Sequence, residues 1–225
     1  DIPEVVEIKS GEVYVAYHDT QYNKRKYKVK VSKPGYITFT IDVDGLNYAA
    51  SRFALLDKNE KEISSLEYVE MKNGKIQHTY AVGKGTYYVL VQNTLGVQAV
   101  KYKFTAVTDK GGSSKSKATT IKLGDKVKGL ALVSDKTSKV DWYKFTLNSK
   151  KAVTVTVNCK VAGSLKVQIV DSKGNELIGG YRTAYAGDGT LKMLTNAGKL
   201  SKGTYYIKVY KGDAESSAYY DIKVK

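Results

Sequence analysis

The chain has little with which to do covalent or metal chemistry. Its 225 residues include one cysteine, two histidines, one tryptophan and two methionines. No internal disulfide can form, and few side chains suit nucleophilic or metal-binding roles. No apolar run approaches the roughly 18 residues a membrane-spanning helix needs. The opening residues Asp1-Ile2-Pro3-Glu4 lack the charged and apolar regions of a signal peptide, so the expectation is a soluble chain. Arginine is scarce too, Arg25, Arg52 and Arg182 being three of the 37 basic residues. The formal charge of +15 is therefore carried almost wholly by lysine, a hydrated point charge without the planar fork that grips guanine edges. That argues against specific nucleic-acid readout. The lysines alternate with apolar residues, as in Tyr27-Lys28-Val29-Lys30-Val31, the spacing of solvated strand faces rather than of a basic arm. Such lysines also discourage edge-to-edge pairing of strands.

What the chain does have is internal repetition. The run Gly83-Lys84-Gly85-Thr86-Tyr87-Tyr88-Val89-Leu90-Val91 returns as Ser201-Lys202-Gly203-Thr204-Tyr205-Tyr206-Ile207-Lys208-Val209. Leu55-Leu56-Asp57-Lys58-Asn59 matches Ile169-Val170-Asp171-Ser172-Lys173, and Ile37-Thr38-Phe39-Thr40-Ile41 matches Val153-Thr154-Val155-Thr156-Val157. Tyr27 to Val31 and Ile8 to Glu12 have counterparts at Tyr143 to Leu147 and Ile121 to Asp125. Blocks that keep their order at nearly constant separation point to a duplication with loop insertions between fixed elements. The segment between the copies holds no apolar residue larger than alanine and reads as a flexible connector. The expected division is residues 1–107, a linker over 108–118, and residues 119–225.

The repeated blocks alternate apolar and polar residues with period two, the polar partners often threonine, as half-buried strands do. Turn residues interrupt them at Asp171 to Asn175, and Asp188-Gly189 supplies a second hairpin signal. Helical periodicity is nearly absent. The fold class predicted is all-β, two tandem jelly-roll-like antiparallel β-sandwich domains.

Asp141-Trp142-Tyr143-Lys144-Phe145-Thr146-Leu147, the alternating strand after it, Asp171 to Leu177, Lys202 to Val209 and Ala218-Tyr219-Tyr220-Asp221-Ile222 together resemble the bacterial pre-peptidase C-terminal domain. That family includes the collagen-binding domains of clostridial collagenases. The resemblance covers the second copy from about Lys122 onward. The first copy matches more loosely, with Arg25-Lys26-Tyr27 where the second has Asp141-Trp142-Tyr143. It implies non-catalytic jelly-roll modules of secreted or cell-surface proteins. Some similar members bind calcium through an acidic segment before the first strand and aspartates near the Asp-Trp-Tyr strand. Here Asp135 and Asp141 are kept, but Lys115 to Thr120 offers no carboxylate, and calcium needs about 6 to 8 oxygen ligands. In the first copy only Asp19 stands near the corresponding loop. Asp135 and Asp141 are read as turn or strand-capping residues, and no metal or cofactor is expected.

The other chemical candidates fare no better. Cys159 shares the parity of Val153, Val155 and Val157 and should be a small buried residue. It has no base, since His18 and His78 lie in the other copy and read as loop or surface residues. Asp42-Val43-Asp44-Gly45 opens like a calcium loop but lacks the later glutamate, leaving a turn. No catalytic triad, phosphate loop or zinc spacing is present.

Surface aromatics remain, for the chain has 19 tyrosines against four phenylalanines and one tryptophan. Tyr205, Ile207 and Val209, with Tyr220, Ile222 and Val224 on what is read as the neighbouring strand, should face inward. The opposite parity, Tyr206, Lys208, Tyr210 and Tyr219, should face solvent, with Trp142 and Lys144 extending it. Collagen-binding relatives use an aromatic sandwich face. The candidate ligand contacts are therefore Tyr206, Lys208, Tyr210, Tyr219 and Trp142, with Tyr181 and Tyr185, in a glycine-rich loop over residues 179–189, as a second region. The alternative is that these residues form ordinary cross-strand pairs. The leading function is a non-catalytic extracellular module pair that attaches a larger secreted or surface bacterial protein to a polymer, a matrix protein such as collagen or a polysaccharide. The alternatives are a stalk with no ligand and a hydrolase using paired carboxylates.

Overall fold

The computed structural model describes residues 5–18, 24–92, 96–194 and 199–225, all strands and turns with no helix among them. The chain divides into two compact units, Asp1–Ala106 and Val107–Lys225.

The first unit contains β1 (Val5–Glu7), β2 (Val13–His18), β3 (Lys24–Val31), β4 (Gly35–Asp42), β5 (Ala50–Leu56), β6 (Glu67–Glu70), β7 (Lys75–Val82), β8 (Gly85–Gln92) and β9 (Gly96–Ala106). They form one sheet ordered β1-β3-β8-β5-β6 and another ordered β2-β9-β4-β7. Alternate residues of both sheets meet in the middle. Tyr27 of β3 lies 5.1 Å from Phe39 of β4, which lies 5.9 Å from Phe53 of β5, and all three are fully buried. Two sheets facing each other over such a layer make a β-sandwich.

The second unit contains β10 (Thr119–Thr120), β11 (Lys126–Ala131), β12 (Asp141–Leu147), β13 (Thr154–Val170), β14 (Glu176–Leu194), β15 (Gly203–Lys211) and β16 (Ser217–Val224). Its two longest strands serve both layers. Residues 155–162 of β13 pair with β16, whereas residues 165–170 pair with β15, and β14 follows β13 along its other side throughout. The register breaks between Val161 and Ser164. There Gly163 adopts φ +73°, and a Cβ on it would lie 2.3 Å from the Ser216 hydroxyl, so glycine is required at the bend. One layer thus runs β10-β12-β15-β13-β14 and the other β11-β16-β13-β14, the strand order of the first unit with its two inter-sheet loops replaced by a continuous bent hairpin. The hairpin turn is held by Asp171, whose Oδ1 accepts from the backbone N–H groups of Lys173 and Asn175 at 2.8 and 2.9 Å. Asp57 does the same for Asn59 and Lys61.

The inward parity is as expected: Tyr205, Ile207, Val209, Tyr220, Ile222, Val224 and Cys159 are all buried in one core. Four expectations are corrected. β15 and β16 are consecutive but not paired; they sit in different layers, and the core lies between them. Residues 179–189 are strand rather than loop, Asp188-Gly189 pairing with Lys160 and Cys159; the glycines there, φ +74° at Gly179 and +114° at Gly187, permit the bends of a strand that changes sheets. His78 is a core residue, 2% exposed, placed by inward parity on β7, hydrogen-bonded through Nε2 to Glu67 and packed edge-on against Tyr80 at 4.8 Å. His18 lies on β2, and Asp19 falls outside the described residues. Finally, residues 108–118 are built into the second unit instead of connecting freely. The Lys110 N–H donates to Lys128 O, and Gly112 and Trp142 exchange two backbone bonds of 2.9 and 3.0 Å. Small residues make this approach possible, since a Cβ on Gly111 or Gly112 would collide with Asp141 or with the Lys117 carbonyl.

Candidate functional site

Strand pairing decides which side chains share a surface, because directly opposed residues point to the same side of a sheet. In the second unit Trp142 of β12 opposes Lys208 of β15, which opposes Gln168 of β13, which opposes Tyr181 of β14. Lys144 opposes Tyr206 in the next row; on the other side Tyr210 opposes Lys166 and Lys166 opposes Thr183, with Ser164 and Tyr185 beyond. All lie on the outer face of one layer, with Trp142, Lys144, Lys166, Tyr206, Lys208 and Tyr210 half-buried and Tyr181 and Tyr185 exposed. The structure therefore joins Tyr206, Lys208, Tyr210 and Trp142 with the separate Tyr181/Tyr185 region into a single surface.

Tyr219 does not belong to it. It opposes Lys160 and Leu130 in the other layer, beyond the core. There it lines an open cleft of about 380 Å³ with Asn158, Lys160, Asp188, Thr190 and Asp221, in which Asn158 bonds Asp221 and Thr190 at 2.9 Å each and Lys160 pairs with Asp188.

On the aromatic face, rings and ammonium groups interlock. The Trp142 and Tyr206 rings meet edge to face, 6.3 Å apart at 80°. Lys208 Nζ lies 5.4 Å from the Trp142 ring centre and 5.9 Å from that of Tyr210. Lys115 Nζ, anchored at 2.7 Å to the Ser172 carbonyl, lies 4.9 Å from the Tyr206 ring. These are cation–π distances. Burial, followed by the charges of Tyr181 and Glu176, pushes the Tyr210 hydroxyl up, so it is a neutral donor at neutral pH. Lys115 is the participant that sequence reasoning missed; it came from the segment taken as a linker.

The first unit shows what the same topology does without such a face. Lys26 pairs with Glu60 at 2.7 Å, and Lys30 and Lys28 pair with Glu7 at 2.7 and 3.6 Å. Between them Ala54, Leu56 and Leu90 close into a small apolar cluster with Tyr88. Where that unit has Leu90 and Ala54, the second has Lys208 and Gln168.

The acidic residues of the second unit do something else. Lys139 Nζ lies 2.9, 3.4 and 3.5 Å from carboxylate oxygens of Asp135, Asp109 and Asp141. Asp141, 3% exposed, also accepts from the Tyr220 hydroxyl at 2.7 Å, and Tyr220 bonds Tyr143 at 2.8 Å. Burial and then the Asp109 charge push the Asp141 carboxyl up to about 6, against the pull of Tyr220 and Lys139. A raised carboxyl is a property of general acids, yet the cavity beside it holds only about 10 Å³, room for one water. Nor do these residues fit calcium. The position between the three carboxylates is taken by the Lys139 ammonium, and a second cation, buried Lys211, lines the same cavity and donates to the Val133 carbonyl at 2.9 Å. Asp135 also accepts from the Leu132 N–H at 2.8 Å, a local turn role. Cys159 is buried, its thiol pushed up to about 11 mainly by desolvation, the opposite of an activated nucleophile.

Fold and site together define an all-β sandwich protein with an aromatic and lysine-bearing sheet face. No protein-family model matches the chain, and no curated protein matches it. Solved structures similar to it include the pre-peptidase C-terminal domain of a collagenase from Bacillus anthracis, 21% identical over 54% of this chain and 100% of that one, TM-score 0.36. Another is the N-terminal CBM22-1-CBM22-2 tandem domain of Xyn10C from Paenibacillus barcinonensis, 10% identical over 96% and 92%, TM-score 0.26. A third is PNGase F, a glycosylasparaginase from Flavobacterium meningosepticum, 7% identical over 94% and 95%, TM-score 0.28. At these scores none of the three bears on activity or ligand. Among the described residues no helix is long and apolar enough to cross a membrane.

Proposed function

We propose that the chain is a non-catalytic, extracellular pair of duplicated modules of the pre-peptidase C-terminal kind, attaching a larger bacterial protein to a polymer. The contact surface is the outer face carrying Trp142, Tyr206, Lys208, Tyr210, Tyr181 and Tyr185. The observation that carries the reading is the concentration of amphipathic rings and lysines on one open sheet face of the second unit, where the same face of the first is closed by apolar side chains and ion pairs. Rigid rings with polar tips give contact area at low entropic cost. An open face suits a long chain better than a small molecule, which prefers an enclosed pocket.

The test is a pull-down of the whole chain on insoluble collagen, cellulose, xylan, pectin and cell-wall material. Tyr206→Ala with Tyr210→Ala should weaken retention at least tenfold on whichever polymer binds, leaving the unfolding midpoint nearly unchanged. Tyr219→Ala, on the opposite layer, should leave retention as it was. Retention indifferent to the double substitution would reject this face.

A further inference from the structure

We infer that the polymer recognised by this face is an acidic polysaccharide, its carboxylate or sulfate groups met by a diagonal line of lysines; the inference rests on the binding-module reading above. Lys144 on β12, Lys208 on β15 and Lys166 on β13 each stand one row and one strand from the next. That places consecutive members about 7 to 8 Å apart, and the same diagonal reaches exposed Tyr185 on β14.

Three features choose the ligand. The first is unmet charge: among the described residues Lys144, Lys166 and Lys208 make no ion pair, whereas on β3 of the first unit Lys26 pairs with Glu60, and Lys28 and Lys30 share Glu7. The acid at the edge of the face, Glu176, accepts from Gln168 at 2.9 Å. Second, the rings at the centre of the face carry ammonium groups: Lys208 lies over Trp142 and Tyr210, and Lys115 over Tyr206, which leaves Tyr181 and Tyr185 at its margin as the rings without one among the described residues. Bases of a single-stranded nucleic acid need bare ring faces on which to stack, and a neutral glycan using ring platforms needs the same. Third, the strands carrying the lysines are interior to their sheet, with backbone groups already paired. Along β12, β15 and β13 a polypeptide, acidic or not, finds no strand edge to extend, the edge of this layer lying at β14. A chain of sugars needs no edge, since its hydroxyls meet tyrosine hydroxyls and its anionic groups meet lysines.

The whole chain is titrated by calorimetry against polygalacturonate, dextran sulfate, neutral dextran and polyglutamate at low and moderate salt. Two variants of equal net charge accompany it: Lys144→Gln, Lys166→Gln and Lys208→Gln together, and Lys58→Gln, Lys61→Gln and Lys84→Gln together in the first unit. Circular dichroism checks that each is folded. The expected result is binding to at least one acidic polysaccharide, weakened tenfold or more in the first variant and less than threefold in the second. Preference for polygalacturonate assigns carboxylate and preference for dextran sulfate assigns sulfate. Equal losses in the two variants overturn the inference, because the chain's overall charge then accounts for binding, as does polyglutamate binding as tightly as the glycans. Retention of collagen or a neutral polymer through Tyr206 and Tyr210, without acidic-glycan binding, overturns the inference and leaves the module reading standing. No binding to any polymer overturns both.

Discussion

Replacing Tyr220 by phenylalanine tests the physical account of the second unit's core. With Asp141 ionised, the Tyr220 proton goes to Asp141 Oδ2 at 2.7 Å, so the Tyr143 hydroxyl must donate to Tyr220 at 2.8 Å. Tyr220→Phe removes a charge-assisted bond worth about 1.5–3 kcal/mol and orphans the Tyr143 hydroxyl, a further loss of about 1–3 kcal/mol. Allowing for overlap, the net destabilisation at pH 7 is about 3 kcal/mol, which lowers the unfolding midpoint of a unit of this size by roughly 10–15 °C. The effect depends on pH, and its sign follows from Asp141. Its folded carboxyl, near 6, lies above its ordinary 3.8, so between those values the folded state holds the proton more tightly than the unfolded one. This group's contribution is therefore most favourable below pH 4 and is lost as pH rises through 6, on the order of 3 kcal/mol. The Tyr220 bond restrains that shift. Without it the carboxyl rises further, and the variant's deficit is larger at pH 7 than at pH 4, where a protonated Asp141 needs no donor. Urea unfolding followed by fluorescence of Trp142, the chain's single tryptophan, reports on this unit alone. Asp141→Asn should flatten the pH dependence in the same window. A deficit below about 0.5 kcal/mol, or one equal at pH 7 and pH 4, refutes the reasoning, since only a charged acceptor makes the loss both large and pH-dependent.

Two other predictions use the same assay. Gly129→Ala would set a Cβ 2.3 Å from the Tyr220 ring and hydroxyl and 2.5 Å from the Tyr143 hydroxyl, an overpacking that should cost about 1–3 kcal/mol; Gly189→Ala, with nothing within 4 Å, should stay within about 0.5 kcal/mol of the parent. Lys139→Met leaves Asp109, Asp135 and Asp141 without their shared ammonium and should destabilise the unit by roughly 1–3 kcal/mol at pH 7, the half-exposed lysine being partly screened, and by less at pH 4; the parent midpoint should be the same in millimolar calcium and in EDTA.

The layers of this protein were legible because a strand writes its burial in alternate residues. Tyr205, Ile207 and Val209 announce an inner face without any knowledge of their partners, and Asp57 and Asp171 announce turns through their own short side chains. Repetition of those same patterns is what raises the expectation of two units. Alternation says in or out but not which sheet, and the site turned on that second question. Tyr206 and Tyr219 have the same outward parity in consecutive strands, yet β13 bends at Gly163 and pairs with β15 on one side of the bend and β16 on the other, so the two tyrosines end on opposite outer surfaces. His78 looked like a surface residue because a lone polar side chain carries no sign of the distant acid, Glu67, that satisfies it inside. Lys115 looked like part of a tether because the contacts that hold its segment come from backbone groups and missing side chains, which leave no apolar signature. Composition and period therefore determined the strands, the turns and the inner faces, all local properties. Only the pairing of strands far apart in the chain decided which rings and lysines share a surface, because register is a relation between two segments and neither one encodes it alone.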